Sequence, residues 1–241
     1  MEMAETYMKS SSPEVLSEVY SPHLENRPLD ISFIIDNLLK GESWVPSDSV
    51  DDTHIGVSGH SFGGSTILVA TSRDNRISAA LPLASGGGVS HDSEILEFEN
   101  VEKIEEFWDH KVGVLFLFGE KDSFIPLETA KDLYSRTPEP KQMVVLNNAD
   151  HLHFVDDIEV MHEIFRKETI AMGGDNLQTK ILAKMQPISE LHPSKGAYDY
   201  VRGLGLAHMD AYLKHKKEAK DFLASDLKSL LAKREIDVTL Y

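Results

Sequence analysis

The chain has 241 residues, no cysteine, 41% hydrophobic residues and a formal net charge of -16 with a pI near 5.0. That length suits a single domain over 1–241. The charge argues against nucleic acid or an anionic membrane surface as partner, and the missing thiols exclude disulfides, a cysteine nucleophile and cysteine-ligated zinc.

Met1 to Ser12 lacks the apolar core of a secretory leader, and no stretch is long and apolar enough to cross a bilayer, so the chain reads as cytoplasmic. Residues 1–26 are polar and turn-rich, loosest at Ser10-Ser11-Ser12-Pro13, and partial order is expected there. From Pro28 to Leu39 the spacing predicts a helix. Ile31, Ile34, Ile35 and Leu38 share one face, Pro28 suits the first turn and Gly41 the C-terminal cap.

The stretch Val57-Ser58-Gly59-His60-Ser61-Phe62-Gly63-Gly64 follows. His54 to Ser58 is a short strand pattern, and Phe62 to Ser72 has helical periodicity with Ile67, Leu68 and Ala70 for packing. Gly59-x-Ser61-x-Gly63 between them has the form of a nucleophile elbow, a strained turn that lifts a serine hydroxyl out of a sheet. Small residues allow strand and helix to meet closely, and a serine at positive φ needs enforcement by its surroundings. The alternative is a plain glycine-rich turn.

Asp74-Asn75 breaks the helix, Ile77 to Leu83 predicts the next strand, and Ser85-Gly86-Gly87-Gly88 reads as a loop, since no P-loop Lys-Ser/Thr follows. Glu94 to His110 is acidic and partly helical. Val112 to Phe118 predicts a buried central strand, Leu127 to Tyr134 a helix and Gln142 to Leu146 a strand, an alternation that argues for βα units on a parallel sheet. The remainder, 155–234, reads as helical: Val155 to Thr169, a turn at Met172-Gly173-Gly174-Asp175, a loop from Gln186 to Lys195, then helices over Tyr198 to Lys214 and Phe222 to Leu231. Ile236, Val238 and Leu240 alternate as in an edge strand.

A serine nucleophile needs a base, and the base needs a carboxylate to orient it. In an open α/β sheet such groups lie in loops past the carboxyl ends of strands. Asp122 follows the strand ending at Phe118 and is assigned as the acid, with Glu120 as substitute; the competing reading makes Asp122 a turn residue or a cap for the helix at Leu127. His151 follows the strand ending at Leu146 and is preferred as base over the deeper His153. Asp150-His151-x-His153 also has the look of a metal cluster, but no third ligand is evident and Ser61 would then have no role, so no metal is assigned.

Three segments together carry a resemblance: Gly59-His60-Ser61-Phe62-Gly63-Gly64, Phe118-Gly119-x-x-Asp122-x-x-x-Pro126, and Asn148-Ala149-Asp150-His151-x-x-Phe154. With Arg27-Pro28-Leu29-Asp30-Ile31-Ser32-Phe33 and His54-Ile55-Gly56-Val57, they resemble the dienelactone hydrolase-related branch of the α/β-hydrolases, which includes esterases similar to platelet-activating-factor acetylhydrolases. The likeness spans roughly Arg27 to Asp157. It implies an α/β-hydrolase-like, mostly parallel sheet with flanking helices and a helical C-terminal region. It also implies a serine esterase working through an acyl-enzyme, without a cofactor, on a small-molecule ester. Phe62 in place of the methionine common in polyester hydrolases argues against polymer hydrolysis.

Relative to that branch the chain reads as N-terminally truncated. The Phe62 N–H is one oxyanion donor, but no residue before Ser61 supplies a second, and the strand leading to Ser61 is left as an apolar edge through which a homodimer could form. The competing reading is therefore a weakly active or non-catalytic binding protein of the same fold. His60, Gly86 and Trp108 are the expected substrate contacts.

Overall fold

The apolar runs become strands of one five-stranded sheet among the described residues, which in the computed structural model are 13–87, 104–172 and 183–241. β1 (Ile55–His60), β2 (Ile77–Leu83), β3 (Gly113–Gly119) and β4 (Lys141–Leu146) lie side by side in chain order and run parallel. β5 (Val238–Leu240) returns antiparallel on β4 and closes one edge; β1 forms the other. Parallel neighbours need crossovers, and helices fill them. α1 (Pro13–Lys40) precedes the sheet, α2 (Phe62–Arg73) joins β1 to β2, the short α3 (Ile104–Phe107) precedes β3, and α4 (Leu127–Arg136) joins β3 to β4. α5 (Ile158–Met172), α6 (Ser194–Tyr212), α7 (Lys217–Leu223) and α8 (Leu227–Ala232) occupy the stretch between β4 and β5.

Strand side chains alternate between faces, so a strand buried on both sides feeds two cores. On one face Val114, Phe116, Phe118, Met143 and Val145 pack with Leu68, Val69 and Ala70 of α2, Ala130 and Leu133 of α4 and Ile35 of α1. On the other, Leu115, Leu117, Val144 and Leu146 pack with Ala197, Tyr200 and Leu204 of α6 and with Leu227 and Leu231 of α8. The fully buried Tyr200 donates its hydroxyl to the Val144 carbonyl at 2.6 Å, which meets the requirement of a polar group in that layer.

α1 is fastened to the sheet by a charged joint. Asp74, at the end of α2, accepts from Ser32 Oγ at 2.7 Å and from Arg76 Nε and Nη2 at 2.8 and 2.6 Å, while Arg76 Nη1 donates to Asp36 Oδ1. Hydrogen bonds from Arg76 outweigh burial and hold the Asp74 carboxyl down at about 2.

Two elements differ from the sequence expectation. The helix expected to begin at Pro28 begins at Pro13, with Pro22 and Pro28 inside it, so much of the segment expected to be loosely ordered is helical. The Pro28 ring is buried, and packing overrides its preference for a first turn. The helix expected over Phe222 to Leu231 is two: Asp226 accepts the Ser229 N–H at 3.1 Å and caps a new start. Of the stretch 94–110, only 104–110 is described, and the turn expected at 172–175 lies mostly outside the described residues. No helix among the described residues is long and apolar enough to cross a membrane.

Candidate active site

The carboxyl ends of β1 to β4 are brought level by a series of backbone bonds. Ser61 N–H donates to Leu83 O at 2.8 Å, Ala84 to Leu117 at 2.8 Å and Glu120 to Leu146 at 3.0 Å. Segments more than 60 residues apart in sequence therefore open onto one end of the sheet, the end at which such folds place their chemistry.

Ser61 sits between β1 and α2 with φ 55 and ψ -122, a conformation that L-residues adopt only under constraint. The constraint is steric. A Cβ on Gly59 would collide with the Gly63 carbonyl, so strand and helix meet there only because residue 59 has no side chain. A Cβ on Gly63 would meet open space, whereas one on Gly64 would meet Ser85, so of these two glycines it is the second that needs to lack a side chain. At the head of α2 the Gly64 and Ser65 N–H groups bond back to Ser61 O, and Phe62 occupies the first helical position. The Phe62 ring is pinned from α1 by the Arg27 guanidinium 4.9 Å from its centroid.

Ser61, His151 and Asp122 come together. His151 Nε2 lies 2.9 Å from Ser61 Oγ, and its Nδ1 lies 2.7 Å from Asp122 Oδ2. His151 and Asp122 are both 6% exposed. The second carboxylate oxygen of Asp122 accepts the N–H groups of Phe124 and Ile125 at 2.9 and 2.8 Å, so the residue is a turn former as well as the partner of His151. Glu120 is engaged elsewhere, accepting the Asn148 N–H at 2.9 Å. Gly119 lets the two loops touch, because a Cβ there would meet the Ala149 carbonyl.

The His151 ring is packed on two sides. Phe124 stacks on it at 4.9 Å, and the His60 ring lies 4.6 Å away at a tilt. His60 Nε2 is 3.1 Å from the His151 carbonyl and donates to it, which fixes the His60 tautomer. Burial, then the neighbouring His151, push His60 down to about 4 against the pull of that bond, so His60 is neutral at physiological pH.

The other sequence candidates have separate partners. The Gly86 carbonyl accepts Ser65 Oγ at 2.9 Å, one turn along α2 from Ser61. Trp108 packs against the core cluster around Ile104 and stacks on His110 at 6.5 Å. His153 turns away from Ser61, with Nε2 3.0 Å from the His192 carbonyl. His153 lies against Asp150, but His151 faces Ser61 and Asp122, so the three do not meet at one point, and among the described residues no group of three or more His, Cys, Asp or Glu side chains could hold a metal. Sequence reasoning missed Phe124 and His162. Phe124 could have been suspected from its place two residues past the acid; His162, which faces Asp150 at 2.8 Å from α5, gives no local signal.

Phe62, expected to supply an oxyanion donor, directly follows Ser61 at the first position of α2. β1 is an outer strand among the described residues, so no neighbouring strand lies on the side from which a second donor loop usually comes. A family model described as the Dienelactone hydrolase family matches residues 9–171, which is most of the chain. No curated protein matches it.

Proposed function

Since the chain belongs to the dienelactone hydrolase family, a group of hydrolases within the α/β-hydrolase superfamily, we propose that it hydrolyses small-molecule carboxylic esters with Ser61 as nucleophile. The observation that carries this reading is the unbroken series Ser61 Oγ, His151, Asp122, at 2.9 and 2.7 Å.

His151 Nε2 takes the Ser61 proton as Oγ attacks the ester carbonyl, and the bond to the carbonyl oxygen becomes a single bond bearing negative charge. Asp122 keeps the remaining proton on Nδ1, so that Nε2 presents its lone pair to the serine, and it stabilises the imidazolium once formed. The Phe62 N–H at the positive end of α2 receives the developing oxyanion. Collapse expels the alcohol, which leaves with the proton from Nε2, and Ser61 stays acylated. A water then gives a proton to His151 and attacks the acyl carbon, releasing the carboxylic acid and restoring Ser61. His60 can remain neutral beside His151 throughout, which avoids a second positive charge 4.6 Å from the imidazolium.

Each oxyanion donor is worth about 10²- to 10³-fold in kcat, so the rate depends on which groups join the Phe62 N–H there. The test is hydrolysis of p-nitrophenyl acetate by wild type and by His151→Ala. Turnover that disappears with His151 supports the reading. Equal rates in the two proteins, or none in a folded wild type, would favour a binding protein of the same fold.

A further inference from the structure

Behind the Ser61–His151–Asp122 series lies a second group of titratable side chains that the proposed reaction does not use. Asp150, immediately before His151, is 2% exposed, and its carboxylate sits between His153 and His162, which are 1% and 0% exposed. Oδ1 accepts the Leu152 N–H at 3.0 Å and lies 2.8 Å from His153 Nδ1. Oδ2 lies 2.8 Å from His162 Nε2 on α5. Neither of these last two atoms makes a hydrogen bond among the described residues, so what joins them is a close contact at ion-pair distance.

The group is tied outward as well. His153 Nε2 reaches the His192 carbonyl at 3.0 Å, and the His192 N–H donates to the Asn148 carbonyl at 2.7 Å. The loop that carries His151 is thereby bound to α5 on one side and to the segment before α6 on the other. Burial alone would raise the Asp150 carboxyl, but the adjacent His153 and His162 rings outweigh that and hold it below the usual carboxylate range. A buried carboxylate deprived of polar neighbours is strongly unfavourable, so the approach of Asp150 to α5 is held by this close polar contact as well as by apolar packing.

We propose that Asp150, His153 and His162 are positioning residues for the base: together they fix the peptide at 150–151, so that His151 Nε2 stays within hydrogen-bond distance of Ser61 Oγ. This rests on the reading of His151 as general base. The leverage is geometric, since the backbone of residue 151 is bounded by Asp150 on one side and by the His60 bond to its carbonyl on the other, and an error of about 1 Å in a reacting group can cost about a hundredfold in rate.

The test compares wild type, Asp150→Asn, His162→Gln and His162→Leu in p-nitrophenyl acetate hydrolysis, with kcat counted per Ser61 titrated by a fluorophosphonate. Glutamine keeps an N–H for Asp150 Oδ2, while leucine fills comparable space without one. Asp150→Asn and His162→Leu are expected to lose about ten- to hundredfold in kcat per titrated site with KM within about twofold, and His162→Gln to keep most of its activity. Counting by titrated site removes the effect of unfolded molecules, and if Asp150→Asn does not fold, the two His162 variants decide. Equal kcat per site in His162→Gln and His162→Leu, or wild-type kcat in Asp150→Asn, overturns the proposal. A folded wild type with neither adduct nor turnover removes the esterase reading, and the positioning role with it.

Discussion

Asp122 divides its carboxylate between two tasks: Oδ2 holds His151 Nδ1 at 2.7 Å, and Oδ1 accepts the backbone N–H groups of Phe124 and Ile125. Turn former and partner of His151, which compete as readings of the sequence, are the same group here. The turn orients the carboxylate, and it also delivers Phe124 to the face of the His151 ring.

Asp122→Asn separates the two tasks. The amide oxygen can keep the Phe124 and Ile125 bonds, but the amide N–H₂ can only donate to Nδ1, which moves the imidazole proton to Nε2 and removes the acceptor for Ser61. Ester turnover should fall by about 10⁴-fold, as expected for a base held in the wrong tautomer. The thermal midpoint should change little. Steady-state kinetics beside thermal unfolding check both, and a variant with near wild-type kcat would contradict the role given to Asp122.

Ser61 holds an unfavourable backbone conformation, at φ 55 and ψ -122. Glycine adopts positive φ without steric cost, and strain of this kind is worth about 1–3 kcal/mol. Ser61→Gly should therefore be inactive yet more stable than wild type by about 1 kcal/mol in denaturant unfolding, after the entropy glycine adds to the unfolded chain is set against the relief. A clear loss of stability would argue that the elbow is not strained.

His208 predicts an acid weakness on the opposite face. Its ring is buried in α6 with Nε2 donating to the Gly113 carbonyl at 3.1 Å, and burial pushes it down to about 4 from 6.5 despite bonds to backbone carbonyls. Between those values the unfolded chain binds a proton and the folded chain does not, so stability falls as pH drops through about 6.5 to 4 and is unaffected above it. His208→Gln keeps a donor and does not titrate. The loss of unfolding free energy between pH 7 and 4.5 should shrink by about 2 kcal/mol in that variant. An unchanged pH dependence would contradict a neutral buried His208.

The joint at Asp74 predicts a stability effect without a catalytic one. Asp74→Asn weakens the charged bonds to Arg76 and, through Arg76 and Asp36, the hold on α1. A loss of about 2 kcal/mol is expected, in the range of hydrogen bonds to charged groups. Urea unfolding measures it. Unchanged stability would mean that apolar contacts of α1, such as Ile35, hold the helix by themselves.

Much of the fold was legible because it rests on local patterns. Ile77–Leu83 is a strand with the expected limits, and the unbroken apolar runs at β3 and β4 are those of strands feeding two cores. What escaped depends on partners distant in sequence. Pro28 reads as a helix start because proline lacks an N–H, yet it lies buried within a helix that spans Pro13–Lys40. Asp226 is one of many acidic residues near the C-terminus, and its capping of α8 is visible only in the structure. At the site, Ser61, Asp122 and His151 could be located from strand ends and spacing. His162 could not, because its approach to Asp150 depends on how α5 returns to the loop.

The central claim is that Ser61 is a nucleophile activated by His151 across 2.9 Å. Incubation with a fluorophosphonate followed by intact-mass analysis tests it most directly, since phosphonylation needs an activated serine and no particular ester. One adduct per chain is expected on wild type, none on Ser61→Ala, and strongly slowed labelling on His151→Ala. An absence of adduct on folded wild type, or labelling of Ser61→Ala at the wild-type level, would contradict the account.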